Sequence, residues 1–374
     1  MSLNDRVFEN DERIIFKLRE LYSKYGYMKY RMSKFEEYDL YVRNKDFLVS
    51  ENIITFTDVD GKLMALKPDV TLSIIKNSRD TSGVQKMYYN ENVYRASNDT
   101  RAFKEIMQTG LEAFGDIDSY CISEVVLLAA KSLECISNDY ILDISHMGII
   151  SEALDSIKVS EKGRRSMLKS LGEKNMSGIS AVCREEGLEE ADAELLKKLV
   201  AIYGEPDEVL TKLKTVTRGE RFDSAIRELE DITEVLSQNG CADKIRIDFS
   251  VINDMSYYSG VVFKGFVNGV PGGVLSGGQY DNLMKKMNRK SGAIGFAVYL
   301  DVLERLYEDN HGFDVDAVLV YEEGARLCDI SRAVKKITEG GETVVAQKTK
   351  PEKIRYKRLL KLCGTEVETV ENNA

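Results

Sequence analysis

Residues 92–115 read NVYRASNDTRAFKEIMQTGLEAFG. Two strand-forming runs, VQKMYYNENVYRAS from Val84 and IMQTGLEAFG from Ile106, flank the polar loop SNDTRAFKE. A loop of that length predicts an antiparallel pair, because a parallel crossover needs a dozen or more connecting residues. Arg95 closes the first run, where a guanidinium can grip a carboxylate or phosphate with two bonds. Gln108, Gly110 and Glu112 alternate along the second run and so face one side. Glu112 stands between Leu111 and Ala113, and a buried carboxylate needs a partner. A surface salt bridge fits the same residues.

Outward from this pair, the helical spacing of DERIIFKLRELYSKYGYMKY (11–30) predicts an opening helix that stops at Gly26. IITFTDVDGKLMALKP (53–68) reads as two strands joined by an Asp60-Gly61 turn, and VTLSIIKNS (70–78) as the start of a helix. SYCISEVVLLAAKSLECI (119–136) is a strongly apolar helix and YILDISHMG (140–148) a short strand. From about 150 to 240 the chain is a series of amphipathic helical stretches, an insertion. Strand patterns return at KIRIDFSVI (244–252) and SYYSGVVFKGFVNG (256–269). Then come the glycine-rich PGGVLSGGQYDNL (271–283) and GAIGFAVYLDVLERLY (292–307), read as a buried helix. The last sixty or so residues read β-α-β-α, with PEKIRYKRLLKLCG (351–364) as the final helix. The whole is an α+β chain: residues 1–312 form a mostly antiparallel core carrying the insertion at about 151–240, and residues 313–374 a small α/β domain.

Composition narrows the function classes. The 374 residues are 43% hydrophobic and 30% charged, an ordinary globular mixture. No apolar run reaches the roughly 18 residues that cross a bilayer. The amphipathic, acidic start is unlike a signal peptide. Six cysteines without a C-x-x-C pair argue against zinc and a disulfide framework, and suit reduced thiols in the cytoplasm. With only His146 and His311, neither a histidine metal site nor a Ser-His-Asp triad is expected. A net charge of −10 disfavours a large nucleic-acid partner, whose binding draws on cations replacing counterions.

Three further motifs carry chemistry. In LKPDVT (66–71), Lys67, Asp69 and Thr71 alternate along a segment read as extended. A carboxylate beside a hydroxyl suits an ammonium group; a solvated strand end is the plain alternative. LSGGQYDNL (275–283) lacks the lysine and spacing of a phosphate loop; its glycines permit a close backbone approach or a tight turn. NDMSYYSGVVFKGF (253–266) sets Tyr257 and Tyr258 against apolar residues expected in a strand.

In this order the segments resemble the catalytic core of histidyl-tRNA synthetases, which are class II aminoacyl-tRNA synthetases. LKPDVT is similar to that family's L-R-P-E-x-T, NVYRASND with MQTGLEAFG to motif 2, and INDMSYYSGVVFKGF to the histidine loop R-G-L-D-Y-Y-T-G-x-V-F-E. SGGQYDNL with AIGFAVYLDVLERL is similar to the start of motif 3. The similarity spans about residues 10–310. Two departures stand out: Asn253 occupies the place of the loop arginine, and Tyr299 and Val302 the places of the glycine and arginine of G-L-E-R, with Arg305 one turn later. Loss of two cations from a phosphoryl site should raise the barrier by several kcal/mol.

The DMSYYSG form is similar to that of the synthetase-like regulatory subunits of ATP phosphoribosyltransferase. That resemblance implies a non-catalytic, cofactor-free cytoplasmic protein acting at the first step of histidine biosynthesis. It would pair with a short catalytic subunit in a hetero-octamer, form a homodimer through its core near SKFEEYDLY (33–41), and mediate feedback by histidine. It also implies a ligand pocket. Asp69 and Thr71 would meet the α-ammonium, Arg95 a carboxylate or other anion, and Gln108 and Glu112 the lining. Tyr258, with Tyr257 beside it, would reach the imidazole or close the wall, and Tyr280 would add a hydroxyl. The C-terminal domain would be a truncated counterpart of an anticodon-binding domain. The alternative the resemblance leaves is a synthetase-like enzyme that activates an amino acid with ATP.

Overall fold

The computed structural model describes residues 10–44, 53–78, 83–96, 102–216, 219–252, 257–306 and 313–373. The chain divides into two compact units, Met1–Arg305 and Leu306–Ala374.

The first unit opens with α1 (Asn10–Lys24), whose Ile14, Ile15, Leu18 and Tyr22 share a buried face. Gly26 follows it at φ +80°, a conformation glycine adopts without a Cβ penalty. After β1 (Met28–Lys29) come β2 (Phe35–Glu37), α2 (Tyr38–Arg43), β3 (Thr55–Thr57) and β4 (Leu63–Leu66). Strands β2, β4 and β3 make a small antiparallel sheet. Its Asp-Gly turn is as expected, with Asp58 Oδ1 accepting from the N–H groups of Asp60 and Lys62. Helix α3 (Thr71–Asn77) leads to the hairpin of β5 (Val84–Ala96) and β6 (Phe103–Gly115), paired from Val84 opposite Gly115 to Ala96 opposite Phe103. Helix α4 (Ser119–Ile136) begins where Asp118 caps the Cys121 N–H, and β7 (Tyr140–His146) follows.

The insertion comprises α5 (Met147–Asp155), α6 (Glu161–Gly172), α7 (Met176–Glu185), α8 (Glu190–Ala201), a two-residue β8 (Tyr203–Gly204), α9 (Pro206–Val216) and α10 (Glu220–Gln238). The chain then returns through β9 (Ile245–Asp248), β10 (Val261–Val267), β11 (Leu275–Gln279), α11 (Asp281–Lys286) and β12 (Gly292–Tyr299).

The large sheet runs β1-β5-β6-β12-β11-β10-β7-β9-β8. Only β1·β5 and β7·β9 pair in parallel. One face packs on α4 and α1: Phe263 and Phe296 meet edge to face, Tyr22 lies on Phe296, and the Tyr22 hydroxyl bonds Ser132 at 3.0 Å. The other face carries a second core, with Tyr41, Tyr89, Phe114, Tyr280 and the apolar side of α3.

The segment 292–307 and the glycine-rich segment 271–283 differ from the sequence expectation. GAIGFAVYLDVLERLY is not one buried helix: its first half is β12, and a 3-10 turn spans Asp301–Leu306. A strand buried on both faces is a continuous apolar run, which periodicity cannot separate from a buried helix. The glycine-rich segment is likewise strand β11, not a loop.

The second unit contains β13 (Val315–Val320), α12 (Leu327–Glu339), β14 (Val344–Gln347), β15 (Tyr356–Cys363) and β16 (Glu366–Asn372), in sheet order β14-β13-β15-β16. The final helix expected over PEKIRYKRLLKLCG is instead β15, which lies parallel to β13 and turns at Gly364 into β16. Its basic-apolar doublets suit a helix face equally well. Pairing decides: Lys357 meets Asp316, Arg358 meets Glu342, and Leu360 and Leu362 enter the core beneath α12.

Candidate functional site

The site lies on the sheet face opposite α4. Glu112 projects from β6 and is only 2% exposed. Its Oε1 accepts from Thr71 Oγ1 at 2.7 Å and its Oε2 from the Tyr280 hydroxyl at 2.5 Å. Burial pushes its pKa up to about 8; the bonds from Tyr280 and Thr71 pull it back, and Asp69 nearby adds to the rise. Thr71 is placed by α3, which Glu36 anchors through Ser73 at 2.6 Å and Lys76 at 2.7 Å.

The glycines of β11 and β12 have a specific use here. Gly295 stands directly opposite Glu112. A Cβ there would fall inside the carboxylate, 2.6 Å from its Cδ and 2.5 Å from the Leu111 carbonyl oxygen. Gly278 lies under Tyr258, where a Cβ would come 2.7 Å from Cδ1. Gly110 leaves room for the Tyr89 hydroxyl in the same way. Where a close backbone approach under a ligand is expected of SGGQ, the protein's own Tyr258 lies over Gly278.

Tyr257, Tyr258 and Tyr280 form an aromatic wall, with ring centroids 4.5 Å apart for Tyr257–Tyr258 and 5.7 Å for Tyr257–Tyr280. Burial raises the pKa of all three hydroxyls, so they stay protonated and can donate. The first two tyrosines are not in a strand as expected; they occupy the turn before β10. Ser259 pins that turn: its N–H donates to the Gln279 carbonyl at 2.9 Å and its Oγ accepts from the Asp281 N–H at 3.1 Å.

LKPDVT departs from the extended reading. It bends at Val70, and Thr71 is the first residue of α3, so Lys67, Asp69 and Thr71 do not share one strand face. Lys67 is fully buried and paired with Glu91. Asp69 Oδ1 accepts from the Leu72 N–H at 2.9 Å, while Oδ2 sits 3.9 Å from Arg95. Burial raises the Asp69 pKa against the pull of Arg95 and the backbone N–H groups. Arg95 also donates from Nε to the Pro68 carbonyl at 2.8 Å.

Gln108 lies on the same face as Glu112, flanked by Glu91 and Tyr299 on the adjoining strands. It is 2% exposed, and its Nε2 has no hydrogen-bond partner among the described residues. The structure thus gathers Asp69, Thr71, Arg95, Glu112, Tyr257, Tyr258 and Tyr280 into one cluster, with Gln108 along the same sheet face. Asn253 lies outside the described residues, as does the side chain of Arg305. Tyr89 and Tyr299 belong to the group, although the sequence did not single out Tyr89 and marked Tyr299 only as a departure. Period-two alternation carries Tyr89 to the face of Arg95 and opposite Gly110. His146 caps α5, its Nδ1 accepting from the Gly148 N–H at 3.1 Å, with Nε2 3.3 Å from Glu228.

Such a cluster offers buried acceptors, hydroxyl donors and an aromatic wall, a set suited to a small zwitterion with a flat polar side chain. The chain is 26% identical to the ATP phosphoribosyltransferase regulatory subunit of Clostridium kluyveri, with 89% of this chain and 87% of that one covered. It is 28% identical to the protein of the same name from Caldanaerobacter subterraneus, over 79% and 78%. Among solved structures it is similar to an ATP phosphoribosyltransferase regulatory subunit/histidyl-tRNA synthetase from Bacillus halodurans. That match has 26% identity and TM-score 0.73, over 90% of this chain and 88% of the other. A histidyl-tRNA synthetase from Nostoc, 18% identical, has the same fold at TM-score 0.73, over 94% and 87%. The family model described as histidyl-tRNA synthetase matches residues 2–303, the span that builds the sheet and every residue of the cluster, and the chain belongs to that family.

Proposed function

We infer that this chain is a regulatory subunit of ATP phosphoribosyltransferase, without transferase or synthetase chemistry of its own. It activates a short catalytic subunit at the first step of histidine biosynthesis and conveys inhibition by histidine. Support for the partner comes from relatives bearing that name, aligned over most of both chains. The single observation that carries the ligand reading is Glu112: a buried carboxylate held by two hydroxyls, with a raised pKa and no paired cation among the described residues. An arriving ammonium or imidazolium supplies the missing charge. The tyrosine wall stacks the ring, and Gln108 Nε2 and Arg95 offer donors to the carboxylate.

Of the cations at this end of the sheet, Lys67 is paired with Glu91 and Arg95 lies 3.9 Å from Asp69. Asn253 and Val302 stand where the resemblance places arginines in the synthetases. Recognition is thus retained while charge stabilisation of a phosphoryl transfer is not. Histidine regulates by binding one of two assembly states better, a coupling typically of about 1–3 kcal/mol. The assembly is a hetero-octamer built on homodimers of this chain in the cytoplasm. Exposed Phe35 and Phe56, whose rings meet edge to face on the small sheet, offer an apolar surface for self-pairing.

The test is twofold. Histidine-dependent exchange between ATP and pyrophosphate should be absent, and the chain should raise the activity of a short catalytic subunit in a histidine-sensitive way. Histidyl-adenylate made by the purified chain alone would overturn the reading in favour of a synthetase-like enzyme.

A further inference from the structure

A recess lies on the same sheet face as the Glu112 cluster, displaced toward β7 and β9 and walled by α6. It has a volume of about 440 Å³ and is lined by Asp143, Asp248, Ser250, Lys169, Lys264 and Phe266, among others. Asp143 on β7 faces Lys264 on β10 and Arg246 on β9 across the ladders. Both carboxylates are buried, Asp143 at 9% exposure and Asp248 at 5%.

Their circumstances differ. Asp248 is satisfied: Oδ1 accepts from the Ser250 N–H at 2.8 Å and its hydroxyl at 2.7 Å, and Oδ2 meets Lys174 at 2.8 Å. Asp143 Oδ1 has no hydrogen-bond partner among the described residues. Leaving a buried carboxylate oxygen unpaired is costly, and the empty protein tolerates it here within a cavity large enough for a metabolite. Beside it, the Lys264 ammonium lies 5.4 Å from the Phe266 ring centroid, at the rim.

We propose that this recess is a second small-molecule site, taking a compact ligand with a cationic nitrogen for Asp143 and an anionic group for Lys264; Lys169 at its edge is paired with Glu173, which also lines it. None of its lining residues belongs to the Glu112 cluster, so the proposal stands apart from the histidine assignment. Burial and the neighbouring Asp248 push the Asp143 pKa up to about 6, which leaves it ionised at neutral pH and receptive to a cation. The site joins the sheet to the inserted helices, since α6 supplies one wall and the residues after β9 another. A ligand there ties the insertion to the segment leading into Tyr257 and Tyr258.

The test is calorimetric titration of the full chain with L-arginine, with agmatine, which lacks the carboxylate, and with L-histidine. At least one of the first two should bind saturably. That affinity should fall tenfold or more in Asp143→Asn and survive Glu112→Gln. Lys264→Met should weaken L-arginine more than agmatine. Asp143→Asn removes a buried, half-unpaired charge, so its melting temperature should not fall; Lys264→Met, at an exposed position, supplies the answer if it does. No saturable binding by either probe, binding unchanged in Asp143→Asn, or binding lost in Glu112→Gln instead would each overturn the proposal.

Discussion

Glu112 sets the behaviour of the cluster through its proton. Its pKa is about 8 in the folded chain against an ordinary 4.5. The folded state therefore holds a proton that the unfolded state gives up between those values. The associated stability is complete below the lower value and is lost as pH rises through the upper one. Asp69, Tyr89, Tyr257, Tyr258 and Tyr280 face the same carboxylate, and burial raises the pKa of each. The ligand-free chain should lose melting temperature across this range, and Glu112→Gln should flatten the loss. Calorimetric scans at a series of pH values measure it; parallel slopes would remove Glu112 from the account. A cationic ligand should pull the proton off, so histidine binding at neutral pH should release up to roughly one proton, read from titrations in buffers of different ionisation enthalpy. Lys67 makes a second residue-scale case. It is fully buried against a Glu91 that is 18% exposed, and Glu91→Ala strands the ammonium. Urea unfolding should show a loss of about 3 kcal/mol, the low end for a broken buried pair. Glu112 was legible in the sequence as a carboxylate between two apolar neighbours. Tyr89 was not, since a tyrosine in a strand is ordinary until its partner across the ladder is known to be Gly110.

At the scale of elements, strands β11 and β12 decide whether the cluster exists. Both were hard to read, and for one reason. They are buried on both faces, so neither alternates, and their glycines look like loop punctuation until the side chains above them are placed. Gly295 tests this directly. A Cβ there meets the Leu111 carbonyl oxygen and the Glu112 carboxylate, one of them backbone that cannot swing aside. Gly295→Ala should cost about 1–3 kcal/mol in denaturant unfolding, as overpacked cores do. It should abolish histidine binding in the molecules that remain folded. Gly26→Ala is the control: nothing lies within 4 Å of its Cβ, and only the φ of +80° resists it, at about 1 kcal/mol with binding intact. The β5–β6 hairpin and α4, by contrast, follow from local pattern alone. Alternation around Gln108–Glu112 and an apolar run opened by Asp118 leave no competing structure. The C-terminal β15 was lost to the opposite ambiguity, since RYKRLLKL satisfies a helix and a strand equally and only its partners β13 and β16 choose.

For the whole molecule, the division into two units bears on what each contributes. All eight candidate ligand residues belong to the first unit, Met1–Arg305, and so does the recess around Asp143. The second unit closes its own core, with Ala317, Leu319, Leu360 and Leu362 beneath α12, and Val318, Tyr356 and Leu359 on the reverse side of its sheet. Both clusters are built from residues of the second unit alone, the condition under which a domain can fold alone. Removing residues 313–374 should therefore leave the first unit folded and its histidine affinity within about twofold of the full chain, since distant independent sites contribute additively. Calorimetry of the shortened chain checks the affinity. If it holds, activation of a short catalytic subunit by the same shortened chain isolates the second unit's share: lost activation with intact binding assigns partner contact to the four-stranded unit, and retained activation assigns it to the synthetase-like core. A loss of histidine affinity on truncation would show instead that the Glu112 cluster depends on the second unit.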